Sequence, residues 1–415
     1  MNPRKNANAI NLFSLFLILL LMAGWAGSPF PAAASASAEV RFEDVAVFYQ
    51  FGDQATFQAR VEAPSPIVEV VLLIQSAPYP PINQALTLEE GNQVVFQLDL
   101  QKNDIRPFSL VDYWFKGRLK NGSTFESDHY SFDYIDNRFE WQFASDSRFQ
   151  VFWNSPALAL GDTVLQVALE GLRSAVTLLP VSPPLPIRIF VYDSGEEMHE
   201  ALQLGRLSWV AGHTDPDINV ILISLPPALE QRLELERILP HELMHILQYQ
   251  VTGDQNQDTP LWLREGLSSL AEIYSNPDYA RSLDQAIQND SLLPMVSLCE
   301  SFPNEASLAL QAYAQSTSFV GYLVDRFGIS TIQSLLKNYA DGMSCESGIL
   351  SVYGSDLNLL ESQWKQEELG LDIGRLAWRG LSPYLFLAVL LLVPPLVVIG
   401  FQRRKKSHPT PMDGD

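Results

Sequence analysis

The stretch that decides the fold reads ILPHELMHILQYQ and runs from Ile238 to Gln250. It is an apolar run with two histidines four residues apart, and Glu242 directly follows the first of them. In an α-helix, residues four positions apart lie one turn apart on the same face. His241 and His245 can therefore present two imidazole nitrogens to one point in space.

Such a pair suits a zinc ion, because neutral histidine is a common zinc ligand. Zinc lowers the pKa of a bound water to about 7, and a neighbouring carboxylate can take the proton as that water attacks a carbonyl. The H-E-x-x-H pattern therefore predicts a zinc site in which Glu242 is the general base. Two histidines packed on an amphipathic helix without a metal are the alternative.

A third metal ligand is expected, because a catalytic zinc usually has three protein ligands and one open position. The sequence TPLWLREGLSSLAEIY follows, and its Glu265 lies 20 residues after His245. The apolar spacing around it predicts a second helix that packs beside the first. Glu265 is therefore the predicted third ligand, and a solvated helix residue is the alternative.

HELMH followed by WLREGL resembles the gluzincins, which are zinc peptidases whose third ligand is a glutamate on a following helix. Within them the sequence is most similar to the peptidase MA-like domain proteins, distant relatives of aminopeptidase N, over about Phe149–Phe327. The resemblance implies a thermolysin-like fold with a small sheet whose edge strand borders the cleft. It also implies zinc binding by His241, His245 and Glu265, with Glu242 as the base.

The resemblance extends to Tyr313, which falls where the aminopeptidase relatives keep a tyrosine that stabilises the oxyanion; a tyrosine merely packed on a helix is the alternative. The acidic segment that holds a substrate's amino terminus in those relatives is missing, so endopeptidase or specialised processing activity stays open.

Ser269 stands where thermolysin-like sites often carry an aspartate, so the partner that orients a zinc histidine is not identified. Pro240 would kink its helix unless it lies in the first turn.

The region before the peptidase-like segment has a different pattern. From Val40 to about Asp136, short alternating runs are broken by turn residues, and Asn121-Gly122 is a hairpin signal. The pattern predicts a β-sandwich of immunoglobulin or fibronectin type over residues 39–145.

A helical period begins with GDTVLQVALEGLRSAVTLL, for which Asp162 is the expected N-cap. IRIFVY (Ile187–Tyr192) and NVILISL (Asn219–Leu225) predict strands, and helical patterns dominate from there to about Leu369. Residues 146–368 are therefore predicted to form the metallopeptidase domain, with a mainly helical C-terminal part. The predicted fold class is α+β.

The N-terminal residues read as an export signal. Arg4-Lys5 precedes an apolar core, and Ala36 and Ala38 fit an A-x-A cleavage site. These features predict a signal peptide over residues 1–38. An N-terminal anchor that is not cleaved is the alternative.

The C-terminal residues predict a membrane anchor. Tyr384–Phe401 carries no charge, and Arg-Arg-Lys-Lys follows. We therefore expect a juxtamembrane linker over residues 369–382, one transmembrane helix over 383–401 and a cytoplasmic tail over 402–415. The protein would then be a single-pass cell-membrane protein with its bulk outside the cytoplasm and the lipid bilayer as a partner. A buried C-terminal helix is the alternative.

The two cysteines, Cys299 and Cys345, are 46 residues apart in the portion predicted to be exported. Disulfides persist outside the cytoplasm. The pair is therefore a candidate disulfide, and two buried free thiols are the alternative.

Composition narrows the function. The chain has 415 residues, of which 47% are hydrophobic and 18% are charged, as in a globular protein. Its net charge of -21 would repel nucleic acid. The sequence therefore predicts a membrane-anchored zinc metallopeptidase that acts on a peptide or protein. A non-catalytic surface binding module on a peptidase-like fold is the alternative, and another hydrolase class with the same zinc is a third reading.

Overall fold

A computed structural model describes residues 39–103, 105–202, 211–228, 230–371 and 373–406. The predicted signal peptide (1–38) and residues 407–415 of the predicted tail lie outside this described part. The described residues form two compact units, of which the first comprises those up to Arg106 together with Leu110–Asp133. The second comprises Pro107–Ser109 and the described residues from Tyr134 onward. A β-rich N-terminal region thus precedes a largely helical one, and the fold is α+β overall.

Within its described residues the first unit contains these strands: β1 (Arg41–Gln50), β2 (Gln54–Glu62), β3 (Ile67–Gln75), β4 (Ile82–Leu86), β5 (Gln93–Asp99), β6 (Leu110–Leu119), β7 (Thr124–Glu126) and β8 (Tyr130–Asp133). They form two antiparallel sheets, one in the order β1-β2-β5 and one in the order β4-β3-β6-β7, with β8 also paired to β6. The rings of Phe42 and Phe115, one from each sheet, stack with centroids 4.8 Å apart.

The period of two along β2 explains how this unit builds its core. Ala55, Phe57, Ala59 and Val61 are buried, while the residues between them are at least partly exposed. Successive strand side chains point to opposite faces, so one face of the strand contributes to the core and the other meets water.

The second unit is built on a five-stranded sheet in the order β12-β13-β11-β10-β9. Its strands are β9 (Gln142–Ser145), β10 (Phe149–Trp153), β11 (Ile187–Tyr192), β12 (Gly212–Asp215) and β13 (Val220–Ser224). The three inner strands run parallel, and the edge strands β9 and β12 are antiparallel to their neighbours. β9 lies in this sheet because it pairs with β10, although residues up to 145 were predicted to belong to the sandwich.

The helices of the second unit are α1 (Leu160–Leu178), α2 (Gly195–Leu202), α3 (Gln231–Thr252), α4 (Leu261–Ala271), α5 (Pro277–Gln288), α6 (Ala306–Phe327), α7 (Ile329–Ala340), α8 (Cys345–Tyr353), α9 (Leu357–Glu367) and α10 (Ile373–Lys406). α1 starts earlier than the pattern indicated. Its N-cap is Ala159, so the expectation that Asp162 caps the helix is wrong. Asp162 lies in the first turn instead, where a carboxylate still interacts favourably with the helix dipole.

Tight packing brings the helices of the candidate site together. The indole of Trp262 on α4 is fully buried against the ring of Phe319 on α6, with centroids 5.2 Å apart. Gly266 allows this approach, because a Cβ at that position would lie 2.5 Å from the carbonyl oxygen of Ser316. α4 is therefore held against α6 along its length.

A disulfide joins Cys299 to Cys345 at the start of α8, with an S–S distance of 2.09 Å. The backbone carbonyl of Cys299 accepts the N–H of Leu261 at 2.8 Å. The cross-link is thus connected to the first residue of α4.

Among the residues that the structure describes, no helix combines the length and the apolar character needed to cross a membrane. The transmembrane helix predicted over residues 383–401, the last element of the predicted fold class, is therefore wrong, as is the single-pass location. α10 also contains Pro383, Pro394 and Pro395, which donate no backbone hydrogen bond.

Candidate metal centre

α3 presents the two histidines of the motif on one side. Leu239, Leu243 and Leu247 are fully buried and anchor the helix in the core. His241 and His245 lie one turn apart, and their ring centroids are 5.1 Å from each other. The four-residue spacing thus places both rings together, as helix geometry requires.

Glu265 completes the cluster from the neighbouring helix α4. Its Oε2 lies 3.3 Å from Nε2 of His241 and 3.7 Å from Nε2 of His245. One ligand atom from each of the three residues falls within 4.8 Å of the others. Ligands held about 2.0–2.2 Å from a tetrahedral zinc are separated by roughly 3.3–3.6 Å. The cluster could therefore hold a metal ion of this size.

Both imidazoles have a partner at their second nitrogen. Nδ1 of His241 lies 3.4 Å from Oε1 of Glu272, and Nδ1 of His245 lies 3.3 Å from Oγ of Ser268. Such contacts select the tautomer and orient the ring. Ser269, which occupies the position expected for this role, instead has its hydroxyl 3.3 Å from that of Tyr279.

Glu272 was not predicted, although the sequence carries a signal for it. Glu272 lies seven residues after Glu265, and seven residues make almost two helical turns. The two carboxylates therefore come from the same side of α4, one near each nitrogen of His241. A search for acidic residues at this spacing would have found it.

A buried amide couples the two helices that carry the cluster. Gln248 of α3 is fully buried, and its Nε2 donates to the carbonyl of Arg264 at 2.9 Å and to Oγ of Ser268 at 3.0 Å. Arg264 directly precedes Glu265 and lies 3.5 Å from its carboxylate. The position of Glu265 relative to α3 is thus set by hydrogen bonds as well as by packing.

Glu242 is held by the edge strand β12. Thr214 Oγ1 donates to Oε2 of Glu242 at 2.6 Å. Gly212 makes room for the carboxylate, because a Cβ there would lie 2.4 Å from Oε1. His213, between them, is 3.5 Å from Asp215 and is not part of the metal cluster of the described residues. Thr214 and Gly212 were not predicted, because nothing in the sequence pairs this strand with α3.

Burial and neighbouring charges shift the pKa values of the histidines and of Glu265 in different directions. Burial lowers the pKa of His241, but hydrogen bonds donated to Glu265 and Glu272 outweigh burial and raise it. Burial lowers the pKa of His245. Burial raises the pKa of Glu265, but the two histidines outweigh it and lower that pKa. Without a metal, the cluster therefore holds an ionised Glu265 beside a protonated His241.

Burial also raises the pKa of Glu242, against the opposing effects of His241 and Thr214. A carboxylate with a raised pKa is a stronger base when it is ionised, which suits proton transfer near neutral pH. The predicted role of Glu242 is thus compatible with its surroundings.

Tyr313 lies on α6, across the site from α3. Its ring centroid is 6.4 Å from that of His241, and the two residues line a cavity of about 360 Å³ together with Glu242. Burial, with smaller effects from Glu265 and other acidic groups, holds the pKa of the Tyr313 phenol well above 10. The phenol therefore stays protonated beside the cavity and can donate a hydrogen bond.

Residues 167–369 match the family model of the Peptidase MA superfamily. The match supports a peptidase MA-like family and a peptidase-like fold for this region. It contains the whole cluster, and it starts and ends later than the resemblance seen over Phe149–Phe327. A comparison with curated proteins finds no match.

Solved structures show only remote likeness. OgpA from Akkermansia muciniphila is 18% identical, with 24% of this chain and 30% of that chain covered and a TM-score of 0.20. A carbohydrate-binding module of family 56, described as a β-1,3-glucan binding domain, is 11% identical, with 22% and 98% covered and a TM-score of 0.17. TM-scores this low carry no conclusion about the fold or activity of the peptidase MA-like region.

Proposed function

We propose that the peptidase MA-like region is a zinc metallopeptidase that hydrolyses peptide bonds. The observation that carries the proposal is the convergence of His241, His245 and Glu265 beside the buried carboxylate of Glu242. A scaffold that only binds a metal has no need for the carboxylate of Glu242. The resemblance and the family match point the same way.

Zinc fits the cluster, because two imidazole nitrogens and one carboxylate are a ligand set typical of catalytic zinc sites. His241, His245 and Glu265 would hold the ion. When bound, zinc polarises the scissile carbonyl and lowers the pKa of a water molecule to about 7. The remaining steps belong to the protein's own side chains.

Glu242 would take the proton of the attacking water and pass it to the leaving amine. Its carboxylate lines the cavity and is held in place, because Thr214 donates to Oε2 and Oε1 packs against Gly212. Tyr313, which stays protonated, would donate a hydrogen bond to the oxygen of the carbonyl as negative charge develops there.

The substrate would lie along the edge strand β12. β12 pairs with β13 on one side and is last in the order of its sheet among the described residues. An extended peptide can add to such an edge through backbone hydrogen bonds. Because β12 also carries Thr214, a peptide bound there would pass directly beside Glu242, and the cavity of about 360 Å³ would receive one of its side chains.

The test compares the full chain with Glu242→Gln, which keeps the shape of the side chain and removes its basicity. Glu361→Gln is the control, because Glu361 is also buried but bonds to the backbone N–H of Met295 at 3.0 Å. We expect about one zinc per chain in all three proteins by elemental analysis. A mixed peptide library should be cleaved by the wild type and Glu361→Gln but not by Glu242→Gln.

Zinc without cleavage in the wild type would favour the non-catalytic binding module. A wild type that binds no zinc would remove the basis of the proposal.

A further inference from the structure

Pro240 lies inside α3, nine residues after its first residue Gln231 and directly before His241. It is therefore not in the first turn, where a proline is tolerated without loss of a hydrogen bond. A proline has no backbone N–H, so the carbonyl of Glu236, four residues earlier, receives no bond from position 240 within the helix. This carbonyl can therefore accept a hydrogen bond from another segment.

That partner is the segment directly after α4. The backbone N–H of Ile273 donates to the Glu236 carbonyl at 2.9 Å, and the N–H of Tyr274 lies 3.3 Å from the same oxygen. Ile273 directly follows Glu272, the residue that caps the C-terminus of α4. The carbonyl that Pro240 leaves open thus fixes the backbone next to Glu272.

The side chain of Glu272 is fixed as well. It is only 2% exposed, and its Oε2 accepts the backbone N–H of Asn276 at 3.2 Å. Its other oxygen, Oε1, faces Nδ1 of His241 at 3.4 Å. Because both the backbone and the carboxylate of Glu272 are held, the His241 ring meets a partner with little freedom to move.

α1 supports the same arrangement from behind. Gly171 lets α1 approach Pro240, since a Cβ at Gly171 would lie 2.9 Å from the proline Cγ. One turn further on, Ser174 Oγ donates to the carbonyl of Ala271 at 3.0 Å. α1 therefore contacts both the proline and the end of α4 that the freed carbonyl holds.

We infer that Pro240 is a positioning residue of the metal centre, which acts through the Glu236 carbonyl and Glu272 on His241. An amide N–H at position 240 would bond to Glu236 within the helix and compete with Ile273. The segment that carries Glu272 would then lose its backbone attachment. The inference rests on the proposed function, because a fixed His241 matters chiefly if that ring binds a metal.

The experiment uses the full chain with Pro240→Ala and Glu272→Gln, and with Pro294→Ala and Glu361→Gln as matched controls. Alanine is a better helix former than proline, so α3 should stay folded in Pro240→Ala. Zinc affinity is measured by competition with a chelating dye. The exchange rate of the Ile273 amide is measured by NMR in the metal-free protein.

We expect zinc affinity to fall about 10–100-fold in Glu272→Gln, as for other residues that orient a metal-bound histidine. Pro240→Ala should lose roughly tenfold in affinity, and its Ile273 amide should exchange at least about tenfold faster than in the wild type, because an N–H at position 240 competes for the Glu236 carbonyl. Both controls should match the wild type in zinc affinity and in the exchange rate of the Ile273 amide.

An unchanged exchange rate of the Ile273 amide in Pro240→Ala would overturn the inference. So would wild-type zinc affinity in Pro240→Ala together with reduced affinity in Glu272→Gln. A wild type that binds zinc but cleaves no peptide would contradict the proposed peptidase activity and leave these comparisons intact. A wild type that binds no zinc would overturn the proposed function and the metal-positioning role together. The Ile273 amide would then still show whether Pro240 holds the Glu272 segment.

Discussion

The hydroxyl of Thr214 donates a 2.6 Å hydrogen bond to Oε2 of Glu242, and the same hydroxyl lies 3.2 Å from the Glu242 backbone carbonyl. Two residues that are 28 positions apart thus connect the edge strand β12 to the helix that carries both histidines. A hydrogen bond to a carboxylate favours its charged form and restricts its rotation. The strand expected to guide the substrate therefore also orients the expected base.

Replacement of Thr214 by valine should slow catalysis. The substitution keeps the shape of the side chain and removes the donor to Glu242. A hydrogen bond to a charged group contributes about 1.5–3 kcal/mol, which corresponds to roughly a 10–150-fold loss in kcat. KM should change little, because the methyl groups still line the strand. Steady-state kinetics on a cleaved peptide measures both values.

Thr177→Val is the control for this substitution. Thr177 lies on α1, and its exposed hydroxyl bonds within the helix to the carbonyl of Arg173 at 2.9 Å. Its kcat should match the wild type. Equal kcat values for Thr214→Val and the wild type would show that the bond to Glu242 has no catalytic consequence.

Tyr313→Phe should lower kcat and preserve metal binding. Loss of one well-aimed donor to a developing oxyanion costs about 100–1,000-fold in kcat. Tyr322→Phe is a control on the same helix, because its hydroxyl bonds to Glu367 at 3.1 Å. If both variants keep full activity, Tyr313 only packs on α6, as the alternative interpretation of the sequence holds.

Zinc affinity should rise with pH. Burial lowers the pKa of His241, but the bonds it donates to Glu265 and Glu272 outweigh burial and raise that pKa to about 10 in the metal-free site. Zinc needs the neutral ring, so binding must displace this proton. Below the raised pKa, affinity should increase about tenfold per pH unit, or roughly 100-fold between pH 6 and pH 8.

Calorimetry in buffers of different ionisation enthalpy checks the same prediction. About one proton should leave the protein for each zinc bound at neutral pH. A pH-independent affinity without proton release would mean that His241 is already neutral, contrary to its two carboxylate neighbours.

The disulfide should stabilise the second unit. Its two cysteines are 46 residues apart, and a loop of this length contributes about 4 kcal/mol to the free energy of unfolding in the chain-entropy model. The double variant Cys299→Ser, Cys345→Ser should therefore unfold at lower urea concentration. The reduced wild type should unfold at the same urea concentration as the double variant. A difference between these two proteins would reveal an effect of the serines themselves.

The cluster that could hold a metal was predictable because helix geometry converts a local spacing into a spatial one. His241 and His245 depend only on the 3.6-residue turn, and Glu265 on a helix that follows closely along the chain. The membrane helix was predicted from an apolar run followed by basic residues, but no helix of the described residues provides such a span. The N-cap was also predicted wrongly, because α1 begins with Ala159 as its N-cap, three residues before Asp162.

The sequence by itself determined which residues could bind a metal and which carboxylate is expected to act as the base, because those expectations follow from side-chain chemistry and helical periodicity. Tertiary structure alone decided what holds them in place. Thr214 and Ile273 reach the site from a sheet edge and a helix end, through contacts with no regular sequence spacing. Such contacts depend on how separate elements pack, and no local pattern encodes that packing.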